Sequence, residues 1–160
     1  MHHASSCVLY ALVVDDSPEM RQVVREFLRF LGITEVVEAG DGYEALRELQ
    51  NKSFALVLSD LNMAPMNGLT LLKELRTNLH FANLPFIMMT GERNEEIVLA
   101  AKDGGANDFI IKPFNAVTLR QKIHAVLGCS RDGDSVSGVG PAAGAGNDGR
   151  AQPGPRAAVL

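Results

Sequence analysis

Three aspartates, a lysine and a threonine stand where apolar segments of this chain end. Asp15 and Asp16 close one such run, Asp60 follows the segment FALVLS, Thr90 follows LPFIMM, and Lys112 closes a fourth. Two unit charges ~4 Å apart repel by about 1 kcal/mol in water and by about 4 kcal/mol at an effective dielectric near 20, so gathered carboxylates call for a cation. A hard divalent ion removes that cost, and magnesium takes a few carboxylates together with waters and phosphate oxygens. Asp15, Asp16 and Asp60 therefore read as a Mg2+ cradle. Lys112 supplies a mobile point charge that suits a carboxylate first and a phosphoryl oxygen later. Thr90 offers a hydroxyl to an arriving oxygen, and Gly91 leaves room for backbone near an anion. Pro113 disfavours helix at Lys112 and suits a cis turn there. Taken singly, Asp16 reads equally as a helix cap, Asp60 as a loop residue, Lys112 as a solvated surface charge and Thr90 as a strand end. Their recurrence at successive strand ends is what favours a site.

The elements that must position these groups follow from periodicity. Residues 8–14 form a continuous apolar run, the pattern of a strand buried on both faces. Asp16 or Ser17 then caps a helix with Pro18 in its first turn. In that helix Met20, Val23, Val24, Phe27, Leu28 and Leu31 share a stripe of period 3.6, and Gly32 stops it. Further strands are expected over residues 33–38, 54–59, 84–89 and 107–111. Further helices are expected over 43–49, around Leu69, Leu72 and Leu75, over 94–102, and over Ala116–Leu127, the last burying Leu119, Ile123 and Val126. Five alternating strand–helix units imply an α/β fold, a doubly wound parallel sheet with helices on both faces and right-handed crossovers. Ligands of such sheets bind beyond the carboxyl ends of the strands, which is where the five chemical residues fall.

The segments VVDDSPEMR, SDLNMAPMNGL, MMTGE and FIIKPF resemble the receiver domain of two-component response regulators, and most closely its single-domain chemotaxis members. The resemblance covers residues 8–128 and implies a flavodoxin-like (βα)5 fold with strand order 2-1-3-4-5. It implies Asp60 as phosphoacceptor, Asp16 as a direct Mg2+ ligand and Asp15 as a ligand through water, with the Asn62 backbone carbonyl completing the metal site. Thr90 would be the switch hydroxyl, Phe109 the aromatic switch, and Lys112 the phosphoryl contact before a cis Pro113. Asn62 and Glu92, two places after Asp60 and Thr90, would tune dephosphorylation. The partners implied are a histidine kinase or phosphotransfer protein and a phosphorylation-dependent target such as a flagellar motor switch protein. The chain would be a signalling domain rather than an enzyme, its chemistry confined to self-directed phosphoryl transfer and autodephosphorylation. Two departures stand out. Met63-Ala64-Pro65-Met66 has its proline one place later than the family's Met-Pro-x-Met, and Phe109 replaces the tyrosine common in these regulators.

Bulk composition fits and narrows this reading. The chain has 160 residues, 46% hydrophobic and 21% charged, with a net charge of −4. That is enough for one self-supporting domain. No basic face or arm suggests nucleic acid. No apolar run approaches the ~20 residues that span a bilayer, so no membrane insertion is expected. Cys7 and Cys129 stand apart, which fits a reducing cytoplasm better than a disulfide scaffold or zinc site. Residues 1–7 read as a flexible start. Residues 129–160, rich in Gly, Ala and Pro without an aromatic, read as a disordered tail. Two other functions stand as alternatives: a receiver serving as phosphate sink or relay intermediate without its own output, and an α/β enzyme binding nucleotide or flavin. Against the second, the chain has neither GxGxxG after its first strand nor GxxxxGK[ST].

Overall fold

The computed structural model describes residues 10–128. Cys7, Cys129, the start of the first expected strand and the expected disordered tail lie outside the described residues. Five strands alternate with five helices: β1 (Tyr10–Val14), α1 (Pro18–Phe30), β2 (Glu35–Ala39), α2 (Gly42–Asn51), β3 (Leu56–Asp60), α3 (Gly68–Arg76), β4 (Phe86–Thr90), α4 (Glu95–Asp103), β5 (Asp108–Ile111) and α5 (Ala116–Leu127). All strand pairs are parallel, in the order β2-β1-β3-β4-β5. This is the flavodoxin-like arrangement anticipated from the resemblance.

The alternation of side chains along each strand feeds two cores, one per face of the sheet. Leu12, Val14, Val57, Phe86 and Met88 pack with Ala45, Leu49, Leu71, Leu72, Leu75 and Ala101 of α2, α3 and α4. Ala11, Val13, Leu56, Leu58, Ile87, Met89 and Ile110 pack on the other face with Val24, Leu28, Leu119 and Ile123 of α1 and α5. Strand β3 is buried at every position. Truncating Leu58 to alanine there would cost about 2–5 kcal/mol in transfer and cavity terms.

Local signals set the helix starts, and hence the loops at the carboxyl rim. Ser17, not Asp16, is the N-cap of α1; its hydroxyl accepts from the Met20 N–H, and Pro18 fills the first helical position. Asp41, Asn67 and Asn94 cap α2, α3 and α4 in the same way. The Asn115 side chain accepts from the Thr118 N–H at the start of α5. Each such cap contributes about 1 kcal/mol. Gly32, at φ 91°, takes the left-handed turn after α1. The α1 stripe is narrower than its periodicity suggested. Val24 and Leu28 are buried, but Val23 is 42% exposed, because α1 packs chiefly on α5 and the sheet and leaves one flank to solvent. Strand β2 begins at Glu35, two places later than expected. Gly32 and Ile33 first close the end of α1 with backbone bonds to Arg29 and Leu28.

Candidate functional site

Each chemical residue sits where its strand ends. Asp60 and Thr90 are the last residues of β3 and β4, Asp15 and Asp16 follow β1, and Lys112 follows β5. One carboxylate oxygen each from Asp15, Asp16 and Asp60 can be chosen so that all lie within 4.8 Å of one another. Asp15 and Asp60 are buried and Asp16 is exposed. The sheet register explains the gathering. β1 and β3 are neighbours with Val14 opposite Ser59, so the residues that follow both strands emerge side by side.

Asp15 is held at every polar atom. Its N–H donates to the Ala39 carbonyl at 3.0 Å, and its backbone carbonyl accepts from Arg21 Nη1 at 2.7 Å. Its Oδ1 accepts from the Ser17 N–H at 2.9 Å, and its Oδ2 meets Lys112 Nζ at 3.1 Å. Lys112 Nζ also meets Asp60 Oδ1 at 3.0 Å. The Lys112–Pro113 peptide bond is cis, and the Lys112 N–H donates to the Thr90 carbonyl at 2.7 Å. Burial pushes the Asp60 carboxyl above the usual carboxylate range and the Asp15 charge adds to this, with Lys112 only partly opposing it. Burial draws the Lys112 ammonium down, but Asp60 and Asp15 more than compensate and hold its pKa above the ordinary value.

Thr90 is buried. Its hydroxyl oxygen accepts from the Glu92 N–H at 3.0 Å, which leaves the O–H free to donate elsewhere. A Cβ built on neighbouring Gly91 would meet nothing within 4 Å, so the side of the site next to Thr90 is open. Asn62 and Glu92 are both exposed. Phe109 is half-buried in β5, under Lys122, whose Nζ lies 5.3 Å from the ring centroid and 3.2 Å from Asp108 Oδ1.

The loop after Asp60, where the proline is displaced, is anchored by alternate residues. Leu61, Met63 and Met66 are buried, while Asn62, Ala64, Pro65 and Asn67 are exposed. The Ala64–Pro65 bond is also cis. The Gly68 N–H donates to the Leu61 carbonyl at 2.9 Å and closes the loop. A Cβ at Gly68 would lie 2.3 Å from the Asp60 carbonyl oxygen, so only glycine fits this approach.

Hard oxygen donors, two of them buried and balanced by a single ammonium, suit a small divalent cation, and Asp15, Asp16 and Asp60 fit Mg2+. The neighbourhood of Asp15 holds what sequence reasoning missed. Arg21 reaches its carbonyl, and Glu38, at the end of β2, holds Arg21 through Nε at 2.9 Å. The signal available was Glu38 itself, a charge near the carboxyl end of a strand that runs parallel to β1 and ends beside the first aspartate pair.

Residues 11–124 match the profile of the response regulator receiver domain. The chain is 40% identical over 116 residues to the chemotaxis protein CheY-3 of Vibrio cholerae, covering 72% of this chain and 89% of the relative. It is 41% identical over 118 residues to the chemotaxis protein CheY1 of Helicobacter pylori, covering 73% and 95%. Among solved structures, Vibrio cholerae CheY4 superposes with a TM-score of 0.71 at 36% identity, over 75% of this chain and 99% of that one. The chain belongs to the response regulator receiver domain family, and within that family it is CheY-like. No helix among the described residues is long and apolar enough to cross a membrane.

Proposed function

We propose that the protein is a CheY-like response regulator in which Asp60 accepts a phosphoryl group from a histidine kinase or phosphotransfer protein, and that the acyl phosphate switches partner binding. The observation that carries this reading is the meeting of Asp15, Asp16 and Asp60 oxygens within 4.8 Å, next to a lysine that touches two of them.

Asp15, Asp16 and Asp60, with the Asn62 carbonyl, would hold Mg2+, which when bound neutralises the phosphoryl oxygens as charge redistributes. In the transfer, an Asp60 carboxylate oxygen attacks phosphorus as the bond from phosphorus to the donor imidazole nitrogen breaks; the imidazole leaves with the electron pair. Lys112 passes from pairing two carboxylates to pairing one carboxylate and a phosphoryl oxygen. The free O–H of Thr90 donates to another phosphoryl oxygen, and Phe109 turns inward behind it. The modification exchanges the single charge of the Asp60 carboxylate for a phosphoryl group carrying nearly two, with three acceptor oxygens, at the rim. This biases the surface formed by α4, β5 and α5 between two states. Asn62 and Glu92, exposed beside the acceptor and the threonine, set access of water to the acyl phosphate and so its lifetime.

The relatives named as chemotaxis proteins support a role in chemotaxis, with a flagellar motor switch protein as target and the cytoplasm as the working compartment. Labelling by acetyl phosphate should require Mg2+ and should vanish in Asp60→Asn; retained labelling refutes the assignment. Capture of a partner only in the presence of beryllofluoride supports the switch. A partner set indifferent to beryllofluoride favours a phosphate sink instead.

A further inference from the structure

Asp16 is the only exposed member of the carboxylate trio, and its side chain accepts no hydrogen bond among the described residues. Its reach is therefore set by the backbone on either side. On the carboxyl side, Ser17 is fixed as the α1 N-cap, with its N–H on Asp15 Oδ1. On the amino side, the peptide unit joining Asp15 to Asp16 has its carbonyl clasped by Arg21 Nη1 at 2.7 Å. Arg21 is only 20% exposed, and its Nε is anchored on Glu38 Oε1 at 2.9 Å. The other Glu38 oxygen is taken by Arg25 Nε at 2.8 Å. A planar guanidinium that spans two acceptors fixes both at once, which a lysine ammonium at the end of a flexible stem does not.

From this we infer that Arg21 is a positioning residue for divalent-cation binding. It orients the Asp15–Asp16 peptide so that the exposed Asp16 carboxylate converges on Asp15 and Asp60, and Glu38 holds Arg21 in place. The inference rests on the proposed Mg2+ site and adds to it two residues that do not touch the metal. Electrostatics alone would act in the opposite sense. A guanidinium near a divalent cation opposes it, so removing the charge at position 21 should tighten binding if charge were its only influence. Weakened binding on removal therefore reports the clasp. Arg25 supplies the control, because it pairs with the same glutamate and its hydrogen bond goes to Glu38, not Asp15.

The test is calorimetric titration of the full, unphosphorylated chain with Mg2+, with thermal melts in chelator alongside. Arg21→Met should raise the Mg2+ Kd about tenfold, as loss of an outer-shell partner does. Arg25→Met should lose comparable melting temperature yet keep the wild-type Kd within about twofold, well below that outer-shell effect. Wild-type affinity in Arg21→Met overturns the inference, as does an equal loss of affinity in Arg25→Met, which would assign the effect to the ion-pair network as a whole. Should Arg21→Met fail to fold, Arg21→Lys serves instead. It keeps the charge, and a Kd raised about threefold or more, part of the same outer-shell loss, supports the clasp, whereas an unchanged Kd overturns it. A wild-type chain that binds no Mg2+ would sink the proposed function itself, a result distinct from any of these.

Discussion

The ammonium of Lys112 stands 3.0 Å from Asp60 Oδ1, joining the end of β5 to the end of β3 across the intervening β4. The same nitrogen reaches Asp15 on the far side of β3, so one side chain closes the rim over four of the five strands. In the metal-free chain it is the cation that lets two buried carboxylates face each other. Lys112→Met should destabilise the protein by about 2 kcal/mol. That is below the 3–5 kcal/mol typical of a broken buried pair, because the lysine side chain is 22% exposed. Saturating Mg2+ should recover much of the loss, since it compensates the same carboxylates. Urea unfolding with and without the ion checks both parts.

Asp60 carries its own pH signature. Burial, with Asp15 adding to it, raises its pKa in the folded chain. The folded state thus binds that proton more tightly than the unfolded state does. Ionised Asp60 costs stability at neutral pH, and the cost is relieved as pH falls through the raised value. Asp60→Asn should therefore melt at a higher temperature than wild type at neutral pH without metal, and its advantage should shrink on acidification. Melting curves across the acid range measure this.

Glu38 runs in the opposite direction. Burial pushes its carboxyl up, but hydrogen bonds and charge from Arg21 and Arg25 outweigh that and leave it below its ordinary value of 4.5. Its contribution is complete above the unfolded value and is lost as pH falls through the lower folded one. Glu38→Gln should be less stable than wild type at neutral pH by about 1 kcal/mol, the scale of a hydrogen-bonded pair near the surface. The two proteins should converge in acid, as read by denaturant midpoints at several pH values.

Gly68→Ala tests the loop after the acceptor. Its methyl group has no room beside the Asp60 carbonyl, so α3 or the loop must move. The expected cost is about 1–3 kcal/mol, the usual range for overpacking. Mg2+ affinity should fall with it, because the displaced carbonyl belongs to a proposed metal-binding residue. Denaturation and Mg2+ titration of the same sample measure the two effects.

The positions of Asp15, Asp16, Asp60, Thr90 and Lys112 were legible because each follows an apolar run long enough to read as a buried strand, and parallel topology sends all such ends to one rim. The glycines were partly legible: Gly32 as a helix stop, but not Gly68 as the point where a helix start touches the Asp60 carbonyl. Arg21 and Glu38 escaped because they meet through packing of α1 on β2. A stripe of period 3.6 states which face of a helix is apolar, not what its polar neighbours touch. Val23 escaped for a related reason, since periodicity cannot tell how much of a flank a single neighbouring helix covers.

Strand β3 is buried along its whole length between the two cores, whereas β5, at the edge of the sheet, has one buried residue in four. A displacement of β3 would disturb packing on both faces at once, while β5 can shift against one neighbouring strand and two helices. Constraint therefore grades across the sheet, from a fixed datum at the acceptor to an adjustable margin at Phe109. In native-state hydrogen exchange the amides of Asp108–Ile111 should open well before those of Leu56–Asp60.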